Sequence, residues 1–188
     1  LKDANYQTFM TGKWHLGGSD KNLSYTTVNG NNVRIIQESL QYAPYNRGWD
    51  THYDNFTAVP ARCKDLDDGL SALLADLNRR GLLDETLVVV ATEFGRTPEI
   101  ITEHQDGRDH YPKAFSCVLA GGGIKAGQTY GKTDPNGSKV IENLTTPQDF
   151  NATIGHALGL AVDQVVISPS GRPFTVADKG KPITSLFA

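Results

Sequence analysis

A chain of 188 residues, 38 % of them hydrophobic, fits one domain of ordinary size and can bury a real core. Its formal charge of −3 and pI near 5.9 give no basic field for a nucleic-acid partner. No run reaches the ~18 apolar residues that a bilayer span needs. The two cysteines, Cys63 and Cys117, stand in different contexts and assign no compartment.

Residues 1–6 suit a short amphipathic helix and residues 8–10 a strand. Thr11-Gly-Lys-Trp-His-Leu-Gly-Gly18 then sets a cation, an indole and an imidazole between glycines. Residues 19–32 are polar, rich in Asn and Gly, and read as an exposed loop or linker. Residues 33–40 alternate well enough for a strand. Residues 42–55 are aromatic and irregular, and carry Gly48-Trp-Asp-Thr-His52. From Leu66 the pattern turns helical. Leu66, Leu70, Leu73, Leu74 and Leu77 share one face, with Asp67, Asp68, Asp76 and Arg80 elsewhere around the axis. Arg79 and Arg80 put cations in the last turn, and Gly81 supplies a left-handed cap.

Residues 86–91 form a short β-branched run that suits a central parallel strand buried on both faces, with Glu93 at its carboxyl end. In open α/β sheets the ligand crevice lies at that end. Residues 97–112 form a polar loop with His104, Asp106, Asp109 and His110. Residues 115–120 make a second buried-type strand, and Gly121-Gly-Gly123 after it demands unusual backbone angles. Residues 128–143 read as a turn-rich hairpin around Asp134-Pro-Asn-Gly137. Thr146 caps and Pro147 opens a helix that runs to about Leu158, before Gly159. The tail carries Gly171-Arg-Pro173 and a short apolar finish. Strands alternating with helices predict a mostly parallel α/β sheet.

Asp50 and His52 lie two apart, so on an extended segment both side chains share a face, and a carboxylate with an imidazole suits a divalent metal. The plainer reading is an Asp that orients a surface His, or a loop ion pair. Glu93 offers a carboxylate at a strand end, or a salt bridge to Arg96. In Gly107-Arg-Asp-His110, an imidazole has a neighbouring carboxylate able to fix its tautomer. Asp50, His52, Glu93 and His110 together are chemically adequate for a catalytic metal. Lys13 and His15 suit an anion, or a surface loop around a packed indole. His156 belongs to a helix and reads as packed or solvated rather than as a ligand. Ser116 and Cys117 lie in a strand, and no Gly-x-Ser-x-Gly elbow is present.

At these residues the chain resembles the alkaline phosphatase/sulfatase superfamily. Residues 1–17, ending in Gly-Lys-Trp-His-Leu-Gly, resemble the sulfatase segment in which a Lys and a His contact the sulfate group, a role the resemblance gives to Lys13 and His15. From about Val33 to the end, the chain resembles a bacterial sulfatase-like family of unknown function. The matching pieces include Gly48-Trp-Asp-Thr-His-Tyr-Asp-Asn-Phe56, Glu93-Phe-Gly-Arg-Thr-Pro98, Gly107-Arg-Asp-His110 and Phe115-Ser-Cys-Val-Leu-Ala-Gly-Gly-Gly-Ile124. By this resemblance Asp50, His52, Glu93 and His110 ligate the catalytic metal. The superfamily's acidic position is usually an Asp followed by Asn or His, so Glu93-Phe94 weakens the case for a second metal. The superfamily's nucleophile motif lies upstream of the Gly-Lys-Trp-His segment, where this chain has no room for it. Pro60-Ala-Arg-Cys63 holds those residue types in another order.

The expectation is a single α/β domain over residues 1–188: a sulfatase-like segment at 1–18, a linker or loop at 19–32 and a C-terminal sulfatase-like region at 33–188. Its fold is expected to be a shortened alkaline-phosphatase-like three-layer sandwich with a mixed, mostly parallel sheet. The expected function is divalent-metal-dependent hydrolysis of a small anionic phosphate, sulfate or related ester by metal-activated water. The metal would be zinc, manganese or calcium. Lys13 and His15, with Arg96 or Arg108, would stabilise charge building on the transferred group. Two alternatives stand beside it: a non-catalytic truncated member that binds metal or an anionic glycan, and a serine-type esterase. An uncovered sheet edge would favour a homo-oligomer. No signal peptide is visible from Leu1 onward, and the resemblance implies a periplasmic or exported protein.

Overall fold

The computed structural model describes residues 49–188 and, as backbone alone, two short strands before them. These are β1, Thr26–Val28, and β2, Asn31–Val33, paired antiparallel with Thr26 opposite Val33. They fall where composition predicted a loop. The intervening Asn29-Gly30 is the sequence that two-residue hairpin turns favour, a signal the polar composition masks. The expected helix at 1–6, the strand at 8–10, the segment with Lys13 and His15, and most of the expected strand at 33–40 lie outside the described residues.

Helix α1, Asn55–Arg79, starts eleven residues before the leucine periodicity does. Asp54 precedes it in the left-handed conformation, with φ of 56°. Pro60 sits inside the helix without ending it, since the bond it forfeits belongs to the solvent-exposed first turns. The C-terminus behaves as its sequence predicts. Gly81 has φ of 67°, its N–H donates to the Asn78 carbonyl at 3.0 Å, and Leu82 donates to Leu77 at 2.9 Å. Those two bonds form a Schellman cap. Of the five leucines expected on the buried face, Leu70, Leu74 and Leu77 are partly covered, while Leu66 and Leu73 are exposed.

Strand β3, Val88–Val90, pairs with β6, Val118–Ala120, which places Val88 opposite Ala120. The pairing is antiparallel and Val89 is exposed, which corrects the reading of this run as a parallel strand buried on both faces. Parallel neighbours need a crossover, usually helical. Between β3 and β6 the chain instead folds a small ribbon, β4 (Gly95–Arg96) against β5 (His110–Tyr111), with no α-helix to carry it across. All five strand pairs among the described residues are antiparallel and two-stranded. The architecture shown is thus mixed α/β, with two helices and small antiparallel sheets.

Gly121, Gly122 and Gly123 all have positive φ, as their position after the strand predicts. A Cβ on Gly121 would come within 2.3 Å of the Thr86 carbonyl oxygen, so the turn closes tightly on the start of β3. Asp134 accepts from the N–H groups of Ser138 and Lys139 at 2.6 and 3.2 Å, and turns β7 (Lys132–Thr133) into β8 (Val140–Glu142). Helix α2, Pro147–Ala157, has the predicted Thr146 cap, completed by Asp149. The tail packs along α2 by the Lys181 N–H on Asp149 Oδ1, 2.8 Å, and the Ile183 N–H on Thr153 Oγ1, 3.0 Å. A last ribbon joins β9 (Val166–Ile167) to β10 (Pro173–Phe174). Among the described residues no helix is long and apolar enough to cross a membrane.

Candidate metal centre

Two loops make the site. The first runs from Trp49 to Asp54 ahead of α1, and the second leads from β4 through residues 97–109 into β5. They are laced by backbone bonds: Arg108 N–H to the Thr51 carbonyl at 3.1 Å, Asp54 N–H to Gln105 at 2.9 Å and Asn55 N–H to Asp106 at 3.2 Å. Thr51 is buried at the join. The second loop is closed on itself by the Thr97 N–H to the Asp109 carbonyl, 2.9 Å, and the Asp109 N–H to Thr97 Oγ1, 3.1 Å.

The first loop is not an extended segment. Thr51 N–H bonds back to Trp49 and His52 N–H back to Asp50, at 3.0 and 3.1 Å, giving two successive tight turns. Asp50 and His52 nevertheless meet, with His52 Nε2 at 3.1 Å from Asp50 Oδ1. His110 comes from β5 on the other loop and brings its Nε2 to 3.1 Å from the same oxygen. Ligand atoms of Asp50, His52 and His110 all lie within 4.8 Å of one another. Bonds of ~2.1 Å to a tetrahedral ion set ligand atoms roughly 3.4 Å apart, near the two separations at Asp50 Oδ1. The donor types suit a divalent ion, and the two separations at Asp50 Oδ1 are compatible with one held by all three side chains. The imidazole rings stand 4.8 Å apart at 49°, and Phe94 packs on His110 at 4.4 Å.

Charge is arranged around the same oxygen. Arg96, from β4, places Nη2 at 2.5 Å from Asp50 Oδ1 while Nη1 donates to the Arg108 carbonyl at 3.3 Å. The Arg96 bond is the main reason the Asp50 carboxyl is lowered to about 2; partial burial opposes it, and His110 and His52 add to it. Asp50 is an anion across the whole neutral range. His52 is held from its far side by Asp109, whose Oδ1 lies 2.7 Å from Nδ1.

Of the residues singled out in the sequence, the structure gathers Asp50, His52, His110 and Arg96. Glu93 is exposed at the bend after β3 and is not part of the three-residue group; the Arg96 proposed as its salt-bridge partner bonds Asp50 instead. Arg108 donates Nη1 to the carbonyls of Thr97 and Pro98, at 2.5 and 2.6 Å, and braces the second loop. Lys13 and His15 lie outside the described residues. His156 is exposed on α2 and meets the Phe187 ring edge-on at 5.1 Å, away from the Asp50 cluster. Adjacency in Gly107-Arg-Asp-His110 predicts that Asp109 serves His110, but in the structure it bonds His52. Phe94, which the sequence marks as a departure from the superfamily pattern, packs against His110.

Residues 20–187 match the family model described as a protein of unknown function, DUF1501. No curated protein and no solved structure matches the chain.

Proposed function

We propose that this chain, which belongs to the DUF1501 family, is a divalent-metal-dependent hydrolase of phosphate, sulfate or related esters. The observation that carries the reading is the convergence of His52 Nε2 and His110 Nε2 on Asp50 Oδ1, 3.1 Å each, from two loops that backbone bonds tie together. Two imidazoles and one carboxylate leave coordination positions free, as a catalytic site requires and a closed structural site does not. Two nitrogen donors favour zinc or manganese over calcium. A divalent ion held there supplies Lewis acidity and brings the deprotonation of water toward neutral pH.

The chain's own residues divide the remaining work. Asp50, His52 and His110 hold the ion. Phe94 packs on one face of His110 and limits its rotation. Arg96 stands beside the cluster as a permanent cation, where it offsets negative charge that builds on a transferred phosphoryl or sulfuryl group. In this reading Lys13 and His15 extend the anion cradle, and Glu93 adds a carboxylate to the rim. The reading also takes up the resemblance to the alkaline phosphatase/sulfatase superfamily, and with it a shortened three-layer sandwich for the whole chain.

The test is the metal content of purified protein, measured with the turnover of aryl phosphate and aryl sulfate before and after chelation. The expected result is a bound divalent ion, with activity lost on chelation and restored by metal. Metal-free protein that takes up no added zinc or manganese and hydrolyses neither ester overturns the proposal.

A further inference from the structure

We infer that Asp109 is a positioning residue for the metal centre, keeping the ring proton of His52 on Nδ1 so that Nε2 stays free to ligate. The inference rests on the metal-centre reading above and deepens it.

His52 lies between two carboxylates, with Nδ1 at 2.7 Å from Asp109 Oδ1 and Nε2 at 3.1 Å from Asp50 Oδ1. A carboxylate only accepts, so each of these oxygens draws the ring proton toward the nitrogen that faces it. A neutral ring with its proton on Nε2 donates to Asp50 and has no lone pair there for an ion. A neutral ring with its proton on Nδ1 donates to Asp109 and turns its Nε2 lone pair toward Asp50 Oδ1, an opposition that a cation held by both atoms relieves. The two acidic side chains thus compete for one proton, and only one outcome builds a ligand.

Geometry favours Asp109. Its contact is the shorter by 0.4 Å, the difference between 2.7 and 3.1 Å. Asp50 Oδ1 is already engaged by the Arg96 guanidinium, whose Nη2 lies at 2.5 Å, which leaves it the weaker acceptor for a further proton. Asp109 is also fixed independently of its side chain, because its N–H and its carbonyl both bond Thr97. A change of side chain at 109 therefore leaves the loop anchored.

The experiment combines zinc titration by calorimetry with ring-nitrogen NMR of labelled histidine, on wild type, Asp109→Asn and Asp109→Ala. In the wild type, His52 is expected to carry its proton on Nδ1, with no proton on Nε2, both without and with zinc. In zinc-free Asp109→Ala the proton is expected to move to Nε2, and zinc affinity to fall ~10–100-fold. Asp109→Asn keeps an amide oxygen able to accept from Nδ1–H, and is expected to recover most of that loss. Wild-type His52 with Nδ1 bare in either state overturns the inference, as does Asp109→Ala binding zinc as tightly as wild type. Wild type that binds no zinc overturns the metal-centre reading instead, while the NMR of the zinc-free ring still decides the role of Asp109. If Asp109→Ala does not fold, the wild-type and Asp109→Asn spectra decide it by the same criterion.

Discussion

Gly107 shows how little room the site's two loops leave each other. A Cβ there would lie 1.6 Å from the His52 carbonyl oxygen and 2.5 Å from the Tyr53 nitrogen, and both are backbone atoms that cannot swing aside. Gly107→Ala must therefore separate the loop that carries His52 from the loop that leads to His110. The expected outcome is zinc affinity weakened by at least ~10-fold, because a catalytic constellation tolerates only about 0.5 Å of displacement. Calorimetric titration of the folded variant checks this, and affinity equal to wild type would show that the loops can part without cost. The need for glycine at this point is a matter of contact between residues 55 apart in the chain, His52 and Gly107, and nothing within Gly107-Arg-Asp-His110 announces it. The chemistry of the site was more legible. Asp50, His52 and His110 stand out by residue type, because carboxylates and imidazoles both suit a divalent ion, but so does Glu93, which lies outside the group. Which carboxylate serves which imidazole was not legible. Asp109 is adjacent to His110 in the chain and pairs with His52 across the fold, since neighbours on extended backbone point opposite ways.

At the level of elements, the helix ends follow local rules and can be tested locally. Thr146 Oγ1 accepts from the Asp149 N–H at 3.1 Å, and Asp149 Oδ2 accepts from the Thr146 N–H at 3.2 Å. This reciprocal capping box makes Thr146→Ala cost about 1 kcal/mol. Asp149 is held below the usual carboxylate range by the Lys181 N–H, then by the Thr146 hydroxyl, with burial opposing. A depressed carboxyl stabilises the fold at pH above its unfolded value and loses that contribution as pH falls through its lowered folded value. Thermal melts of wild type and Asp149→Asn should therefore differ at pH 7 and converge in strong acid; a gap that persists unchanged at pH 2 would remove the charge from the explanation. The middle of α1 offers the opposite test. Gly69 has open space at its Cβ position and an ordinary helical φ. Gly69→Ala is expected to stabilise by about 1 kcal/mol, read as a higher midpoint in urea. Sequence placed the end of α1 correctly because a Schellman cap needs a residue with positive φ. It placed the start eleven residues late, because the leucine stripe begins only at Leu66 and a proline at position 60 argues locally against helix.

For the molecule as a whole, two loops joined through an ion would couple metal binding to folding. The described residues bury few side chains fully, Ala58, Ala152 and Ala177 among the apolar ones, so the loop junction is a large part of what orders the region around Asp50. Zinc at a hundred times its dissociation constant is expected to add about 2.7 kcal/mol, a rise in melting temperature of roughly 5–10 °C for a chain of this size. His110→Ala should abolish the rise while leaving the zinc-free midpoint within a few degrees, and an undiminished rise would place the ion elsewhere. Taken alone, the sequence determined the helix caps, the glycine turn after β6 and the Asp134 hairpin turn, since each depends on backbone angles that a few neighbouring residues dictate. The tertiary structure decided the antiparallel pairing of β3 with β6, the assignment of Asp109 to His52 and the bond from Arg96 to Asp50. Those depend on which distant segments come together, and hydrophobic run length and residue spacing carry no information about direction or partner.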